Sequence, residues 1–511
     1  MNNTSTTFCY GEQQLTVAIA MCIANDTTKG IISEATKKII TNSEANVASI
    51  VQNGSTVYGI NTGFGPLCDT IINTADTVTL QHNLLLSHAV GVGSPIPTVL
   101  AKLMLITKVQ ALAQGYSGVS LAVINRLLWH INNNVIPVVP CKGSVGASGD
   151  LAPLSHLVLP LIGYGSVCIK GIISPAADVL ATYNLTPINL QAKEGLGLIN
   201  GTQFILAHAV YAVHTMQHLL NVATTVGAMS VDALMGSIAP FHPKLHALRP
   251  YKGTVAVAHH LWHLLQHSPI VQAHNNCSRV QDPYSIRCIP QVHGASVNAL
   301  THLAELTLIE LNSVTDNPII FSDSETISGG NFHGQPLAIP LDYCTVAAAE
   351  IGNISDRRCY LMLEGKYGLP KLLIENAGLQ SGYMIPQYTT AALVTENKTM
   401  CYPASADSIP TSLGQEDHVS MGSISGRKLL QVLDNLTYIL AIELMYATQA
   451  IELRRPLQTS TPLEKIISKV RAHVSHLTID RFLQPDIETL YLLLKAEENF
   501  ALFENTYALA S

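Results

Sequence analysis

Four stretches beyond residue 200 constrain this chain more than anything else in it: "TQFILAHAVYAVHTMQHLLNVATTVGAMSVDAL", "VNALTHLAELTLIELNSVTD", "LDYCTVAAAEIGNISDRRCYLMLEG" and "GRKLLQVLDNLTYILAIELMYATQAIELR". Each carries apolar residues at helical spacing over far more than the ~12 residues of an average helix. Helices so long and so apolar must be covered on most sides, and they lack the heptad charges of an exposed coiled coil. A mainly α fold follows, with a long-helix central bundle. Only 12% of the residues are charged while 48% are hydrophobic, too few charges to coat a lone subunit. Apolar surface is therefore expected to pair between subunits in an oligomer. The most apolar run, 429–453, is interrupted by Asp434, Asn435 and Glu443 and falls short of the ~20 clean residues of a membrane span. It reads as a buried helix, and no membrane partner is expected.

The first 200 residues read differently. Helical periodicity there is broken by "NGSTVYGINTGFGP" and again by "INNNVIPVVPCKGSVGASGDLAP", both rich in turn formers. The expected organisation is a loop-rich N-terminal region over 1–200, then the bundle and C-terminal helices over 201–511. The net charge of −7, without a Lys/Arg cluster interleaved with aromatics, argues against nucleic acid as a partner. The polar N-terminus lacks the basic and apolar regions of a secretory signal, and ten cysteines are scattered without a CxxC pair. A cytoplasmic protein with reduced thiols is expected. Phosphate-loop, dinucleotide and nucleophile-elbow motifs are missing. "HHLWHLLQH" places His259, His263 and His267 at helical spacing, but no carboxylate or cysteine accompanies them. They read as an ordinary helix face, as do His214 and His218, and no metal is expected.

Within the second loop, "GSVGASGDLAPLSH" (143–156) leaves Gly146-Ala147-Ser148-Gly149 without a bulky side chain. Alone, this is a tight turn before a buried helix. It also permits rarer chemistry. A backbone amide nitrogen is a poor nucleophile because its lone pair is delocalised, but glycine allows a bend and a close approach that other residues forbid. If the Gly149 nitrogen attacks the Ala147 carbonyl and two waters leave, Ser148 becomes a methylidene carbon conjugated to a five-membered ring.

The tripeptide does not stand alone. "VYGINTGFG" (57–65), "NLLLSHAVGVG" (83–93), "KGSVGASGDLAPLSHL" (142–157), "AKEGLGLINGTQ" (192–203), "QDPYSIRCIPQVHGA" (281–295), "NSVTDNP" (312–318), "SGGNFHGQP" (328–336) and "PTSLGQEDHVSMG" (410–422) follow in order. In these stretches the chain resembles the aromatic amino-acid ammonia-lyase family from end to end. The resemblance implies a 4-methylideneimidazol-5-one prosthetic group formed from Ala147, Ser148 and Gly149, with no external cofactor. It also implies a homotetramer whose active sites draw on several subunits.

The implied reaction removes ammonia from an α-amino acid to leave a 2,3-unsaturated acid, which needs a base for a weakly acidic β-proton. The family places a tyrosine in the glycine loop, here Tyr58. A free phenol titrates at about 10, so acting near neutrality asks for about 4 kcal/mol of phenolate stabilisation. Glu416 is the other candidate for that proton, and the sequence does not choose between them. By resemblance Arg287 grips the substrate carboxylate with a planar fork, Asn200, Gln281 and Tyr284 orient the ring carbonyl, carboxylate and amine, and Phe332 walls the ring.

Specificity rests on two positions. Ser87-His88 resembles the pair of histidine-acting members, where phenylalanine-acting members are apolar. Glu416 stands where histidine-acting members carry a carboxylate. A buried carboxylate suits an imidazole and opposes a benzyl ring. L-Histidine, giving urocanate and ammonia in the first step of histidine breakdown, is the expected substrate; a tyrosine lyase or tyrosine 2,3-aminomutase is the alternative within the family. Outside it, the alternative is a helical scaffold without catalysis, or a metal-binding protein that uses His259, His263 and His267.

Overall fold

A computed structural model describes residues 6–53, 56–63, 65–67, 69–73, 76–274 and 279–503. The first five residues, loop positions 54, 55 and 64, and the last residues of the C-terminal stretch, on which the sequence reading also drew, lie outside them. The protein is mainly α, as its periodicity predicts. It divides into two compact units that are discontinuous in sequence, rather than at one point near residue 200. One comprises 1–214, 303–341 and 403–427, and the other 215–302, 342–402 and 428–511. The reason is helix length: a helix of some thirty residues runs through more than one compact unit, so the chain leaves and re-enters each.

In the first unit the elements around the glycine-rich loops are helix α1 (Thr77–His88), strand β1 (Val92–Pro95), helix α2 (Thr98–Ala113), strand β2 (Pro140–Lys142) and helices α3 (Leu151–Val158) and α4 (Glu194–Ile199). Helix α5 (Gln203–Ala233) begins there too. α2 is buried at every residue from Leu100 to Ala113, Lys102, Lys108 and Gln110 included, so it presents no polar face to solvent. β1 and β2 pair antiparallel, with Val92 opposite Lys142 and Pro95 opposite Pro140. That short ladder brings the segment after His88 beside the segment that leads into the Ala147-Ser148-Gly149 turn.

The second unit holds most of the long helices: the rest of α5, α6 (Ile289–Leu311) up to residue 302, and α7 (Gln335–Leu363) and α8 (Gly422–Glu452) from residues 342 and 428. Their packing encloses a fully buried ion pair among apolar side chains. Glu443 of α8 accepts from Arg358 Nε at 2.5 Å and Nη2 at 2.8 Å, from Ser355 Oγ at 2.5 Å and from Ser230 Oγ at 2.6 Å. Arg358, Ser355, Ser230 and Glu443 are all fully buried. A buried ion pair survives only with its charges matched and its remaining lone pairs satisfied, and both serines serve that end.

Two sequence expectations shift. α7 starts at Gln335 and runs through Pro340, where the sequence reading began the helix at Leu341. Pro340 stands in the second turn, so its missing N–H costs a single bond near the helix start, with Pro336 already in the first turn. α8 is, by length and composition, long and apolar enough to cross a membrane, contrary to the reading of 429–453. Yet 78% of its most apolar window is buried inside the protein, as in a core helix. The three histidines of "HHLWHLLQH" separate as ordinary surface groups. The helix ends at Leu265, so His267 leaves its face. Among the described residues no three of His, Cys, Asp and Glu gather as a metal would need.

Candidate active site

The Ala147-Ser148-Gly149 turn is bent back on itself. Ala147 and Gly149 face each other in a bridge across Ser148, and Gly149 pairs in turn with Gly201. Gly149 has φ +73°, and a Cβ there would lie 2.1 Å from the Gly201 carbonyl oxygen, so no side chain fits. Asp150 N–H donates to that same oxygen at 2.7 Å. On the other side, Ser420 Oγ donates to Gly146 O at 3.1 Å and Met421 N to Val145 O at 2.8 Å. Ala147 packs on Val419 and Met421. The turn is thus clamped between the start of α5 and the segment that leads into α8.

Asp150 opens α3 without capping it. Its carboxylate instead accepts from Ser144 Oγ and from Ile205 N–H, each at 2.9 Å, tying both flanks of the turn to the first turn of α5. Complete burial pushes its pKa up to about 7, against the pull of those donors.

The hydroxyl and the carbonyl oxygen of Ser148 are both engaged. Its hydroxyl donates to Glu416 Oε1 at 2.6 Å, and its carbonyl oxygen accepts Asn200 Nδ2 at 2.7 Å. The second Glu416 oxygen accepts from Thr411 Oγ1 at 2.8 Å and Ser412 Oγ at 3.0 Å. Glu416 follows a single turn of 3-10 helix, Ser412–Gly414, and precedes α8 by six residues, so it caps no long helix. The Asn200 side-chain oxygen is buried with no donor among the described residues. A buried acceptor left so is costly unless a ligand supplies the donor.

These groups border a cavity of about 690 Å³, within the range of small-molecule sites. Tyr58, His88, Ala147, Ser148, Asn200, Phe332 and Glu416 all line it. Gly65 N–H donates to Tyr58 Oη at 3.3 Å, so the glycine loop offers the phenol oxygen an amide. His88 ends α1, with Ser87 Oγ 3.0 Å from its Nδ1. Burial lowers the His88 pKa and the Glu416 charge partly opposes it, which favours a neutral imidazole at neutral pH.

Gln281, Tyr284 and Arg287 are not brought to this cavity. They lie in the second unit, where Tyr284–Arg287 forms one helical turn and the Arg287 guanidinium stands 4.7 Å over the Tyr284 ring. Tyr284 is 70% exposed. Neighbouring Asp282 fixes the segment by accepting Ser237 N–H at 2.7 Å and pairing with Arg279 at 2.8 Å.

Two cavity histidines are among the lining residues that escaped the sequence reading. His333 and His418 line the wall with Nε2 and Nδ1 3.3 Å apart and their rings stacked at 29°. Each adjoins or nearly adjoins a residue that was singled out, Phe332 and Glu416, and the motifs "SGGNFHGQP" and "QEDHVSMG" contain them. A closer look at the polar neighbours in those motifs could have found both.

A family profile described as aromatic amino acid lyase matches residues 15–472. A histidine ammonia-lyase of Aromatoleum aromaticum is 46% identical over 487 residues, 95% of this chain and 93% of the relative. One from Burkholderia ambifaria is 47% identical over 457 residues, 89% and 90% of the two chains. Among solved structures, the histidine ammonia-lyase of Trypanosoma cruzi superposes with a TM-score of 0.89 at 39% identity, covering 98% of this chain and 95% of that one. A tyrosine aminomutase from Streptomyces globisporus superposes at 0.93 with 32% identity, covering 99% and 100%.

Proposed function

The chain belongs to the aromatic amino acid lyase family, and from that premise we propose that it eliminates ammonia from L-histidine to give urocanate, as a carbon–nitrogen lyase. The observation that carries the substrate is Glu416, a carboxylate on the cavity wall beside His88. The fold alone does not discriminate, since a tyrosine aminomutase superposes as well as a histidine ammonia-lyase does. Sequence identity does, standing at 46–47% to histidine ammonia-lyases over most of the chain.

Ala147, Ser148 and Gly149 fit a 4-methylideneimidazol-5-one ring. The backbone is already folded back, no Cβ obstructs Gly149, and a donor rests on the Ser148 carbonyl oxygen. Once formed, the ring supplies an electrophilic carbon for the substrate amine. Asn200 Nδ2 would keep its bond to the Ser148 carbonyl oxygen and so stabilise negative charge there, and its Oδ1, without a donor among the described residues, would be free to accept from the substrate amine. Glu416 gains a role as Ser148 loses its hydroxyl: Oε1 is released from the serine and becomes an acceptor for the substrate imidazole, while Thr411 and Ser412 keep the carboxylate oriented. We assign the β-proton to Tyr58, whose oxygen already has the Gly65 amide to stabilise a phenolate. Phe332 closes one wall.

Among the described residues, no guanidinium lines the cavity. Arg287, with Tyr284 and Gln281, is proposed to reach it from a neighbouring subunit of a homotetramer, and the low charge content agrees with extensive subunit contacts. The eight described cysteines are all free thiols, in keeping with a cytoplasmic location.

Replacing Ser148 by alanine tests the chemistry. The variant keeps the helical fold by circular dichroism and loses turnover of L-histidine by several orders of magnitude; full activity would sink the mechanism. Turnover by the wild-type protein should persist after chelation, and its loss would restore a metal reading.

A further inference from the structure

The elimination chemistry above makes no use of Lys108, although the protein goes to some length to bury it. It sits on α2 among residues that are all buried, with its ammonium sealed from solvent. Burial pulls its pKa down to about 7, with Asp316 and Asp150 as the opposing charges and Lys193 as a like one. Lys193 is itself spoken for, donating to Asp316 at 2.7 Å and to Ser117 O at 2.9 Å. A surface helix would carry such a lysine at no cost; here it displaces an apolar residue and desolvates a charge.

Its donors have one destination. Nζ donates to the carbonyl oxygens of Asn200 at 2.8 Å and Gly197 at 3.2 Å, which the end of α4 leaves without helical partners. Asn200 N–H is already fixed on Leu196 O at 2.9 Å. The same short run touches the reactive turn at three successive points. Asn200 Nδ2 donates to Ser148 O, Gly149 bridges to Gly201, and Gly201 O accepts Asp150 N–H. One ammonium thus anchors the backbone that presses on all of Ser148, Gly149 and Asp150.

We propose that Lys108 is a positioning residue for the prosthetic group, holding Asn200 and Gly201 against the bent tripeptide so that the ring closes and its carbonyl oxygen keeps a donor. This rests on the ring reading above. In ring closure the Gly149 nitrogen bonds to the Ala147 carbonyl carbon, and the Ala147 oxygen leaves as water with the Gly149 and Ser148 amide protons. The Ser148 hydroxyl then leaves as water with the Ser148 Cα proton. No outside reactant is needed, so the rate depends on how well the backbone is held in register.

Intact-mass spectrometry reads the outcome without recourse to activity, because the finished chain is lighter than its sequence by two waters. In Lys108→Met, with helix content preserved, the finished fraction falls severalfold. The kcat per finished chain falls about tenfold through loss of the aligned Asn200 donor, while KM for L-histidine stays near wild type. Lys108→Arg restores the mass deficit in most chains. A Lys108→Met protein with the full two-water deficit and wild-type kcat overturns the proposal. Should Lys108→Met not fold, Lys108→Gln, which keeps a polar end but ends one bond short of the Asn200 and Gly197 carbonyls that Nζ reaches, is followed over time after synthesis; a deficit that grows in as fast as in the wild type overturns it equally. A wild-type chain without any deficit would instead refute the ring reading itself.

Discussion

At Glu416 a single carboxylate accepts from Ser148, Thr411 and Ser412, and glutamine in its place keeps the size while removing the charge proposed to meet the substrate imidazole. Glu416→Gln should lower kcat for L-histidine by about 10²-fold or more, with the mass deficit of two waters unchanged; equal loss of ring and rate would reassign the residue to maturation. Much of this scale was legible in the sequence because the reactive residues sit in contiguous motifs. Tyr58, His88, Ser148, Asn200, Phe332 and Glu416 each arrive with recognisable neighbours and meet at one cavity. Lys108 was not legible in the same way, whereas His333 and His418 lie inside two of those motifs and were passed over. A lone polar residue has no period or spacing to announce it, and the meaning of Lys108 depends on carbonyls some ninety positions away.

Among the elements, the long helices follow from periodicity, since an apolar 3.6-residue repeat extended over several turns has few other solutions. Their ends follow less well. The sequence reading begins a helix only after Pro340, yet α7 passes through that residue, because a proline near a helix start removes only one bond. Nor does the sequence reveal that Glu443, taken as an interruption in an apolar run, is the partner that makes Arg358 tolerable in the core. Glu443→Gln leaves the guanidinium buried without its countercharge, and destabilisation of about 3–5 kcal/mol is expected, read as a lowered thermal midpoint. The doubly apolar variant Arg358→Met with Glu443→Leu should recover much of that loss. If Glu443→Gln melts like the wild type, the cluster carries no stability.

For the whole molecule, the discontinuous units show what composition could not: which segments of the chain return to the same compact body. Low charge content pointed to subunit contacts but not to which residues cross them. Among the described residues the cavity is lined by Tyr58, Ser148 and Glu416 but by no guanidinium, and Arg287 lies in the other unit. If neighbouring subunits complete each site, Arg287→Ala and Glu416→Gln are each nearly inactive, whereas co-expression of the two yields mixed oligomers with measurable turnover. Absence of any recovery in verified mixed oligomers would place Arg287 and Glu416 in the same chain's site.

The most direct test of the account is the absorbance of the product when purified wild-type protein meets each amino acid alone. L-Histidine should give a growing urocanate band with release of ammonia, and L-tyrosine should give neither coumarate nor β-tyrosine. Coumarate or β-tyrosine from L-tyrosine, with no urocanate from L-histidine, would contradict it.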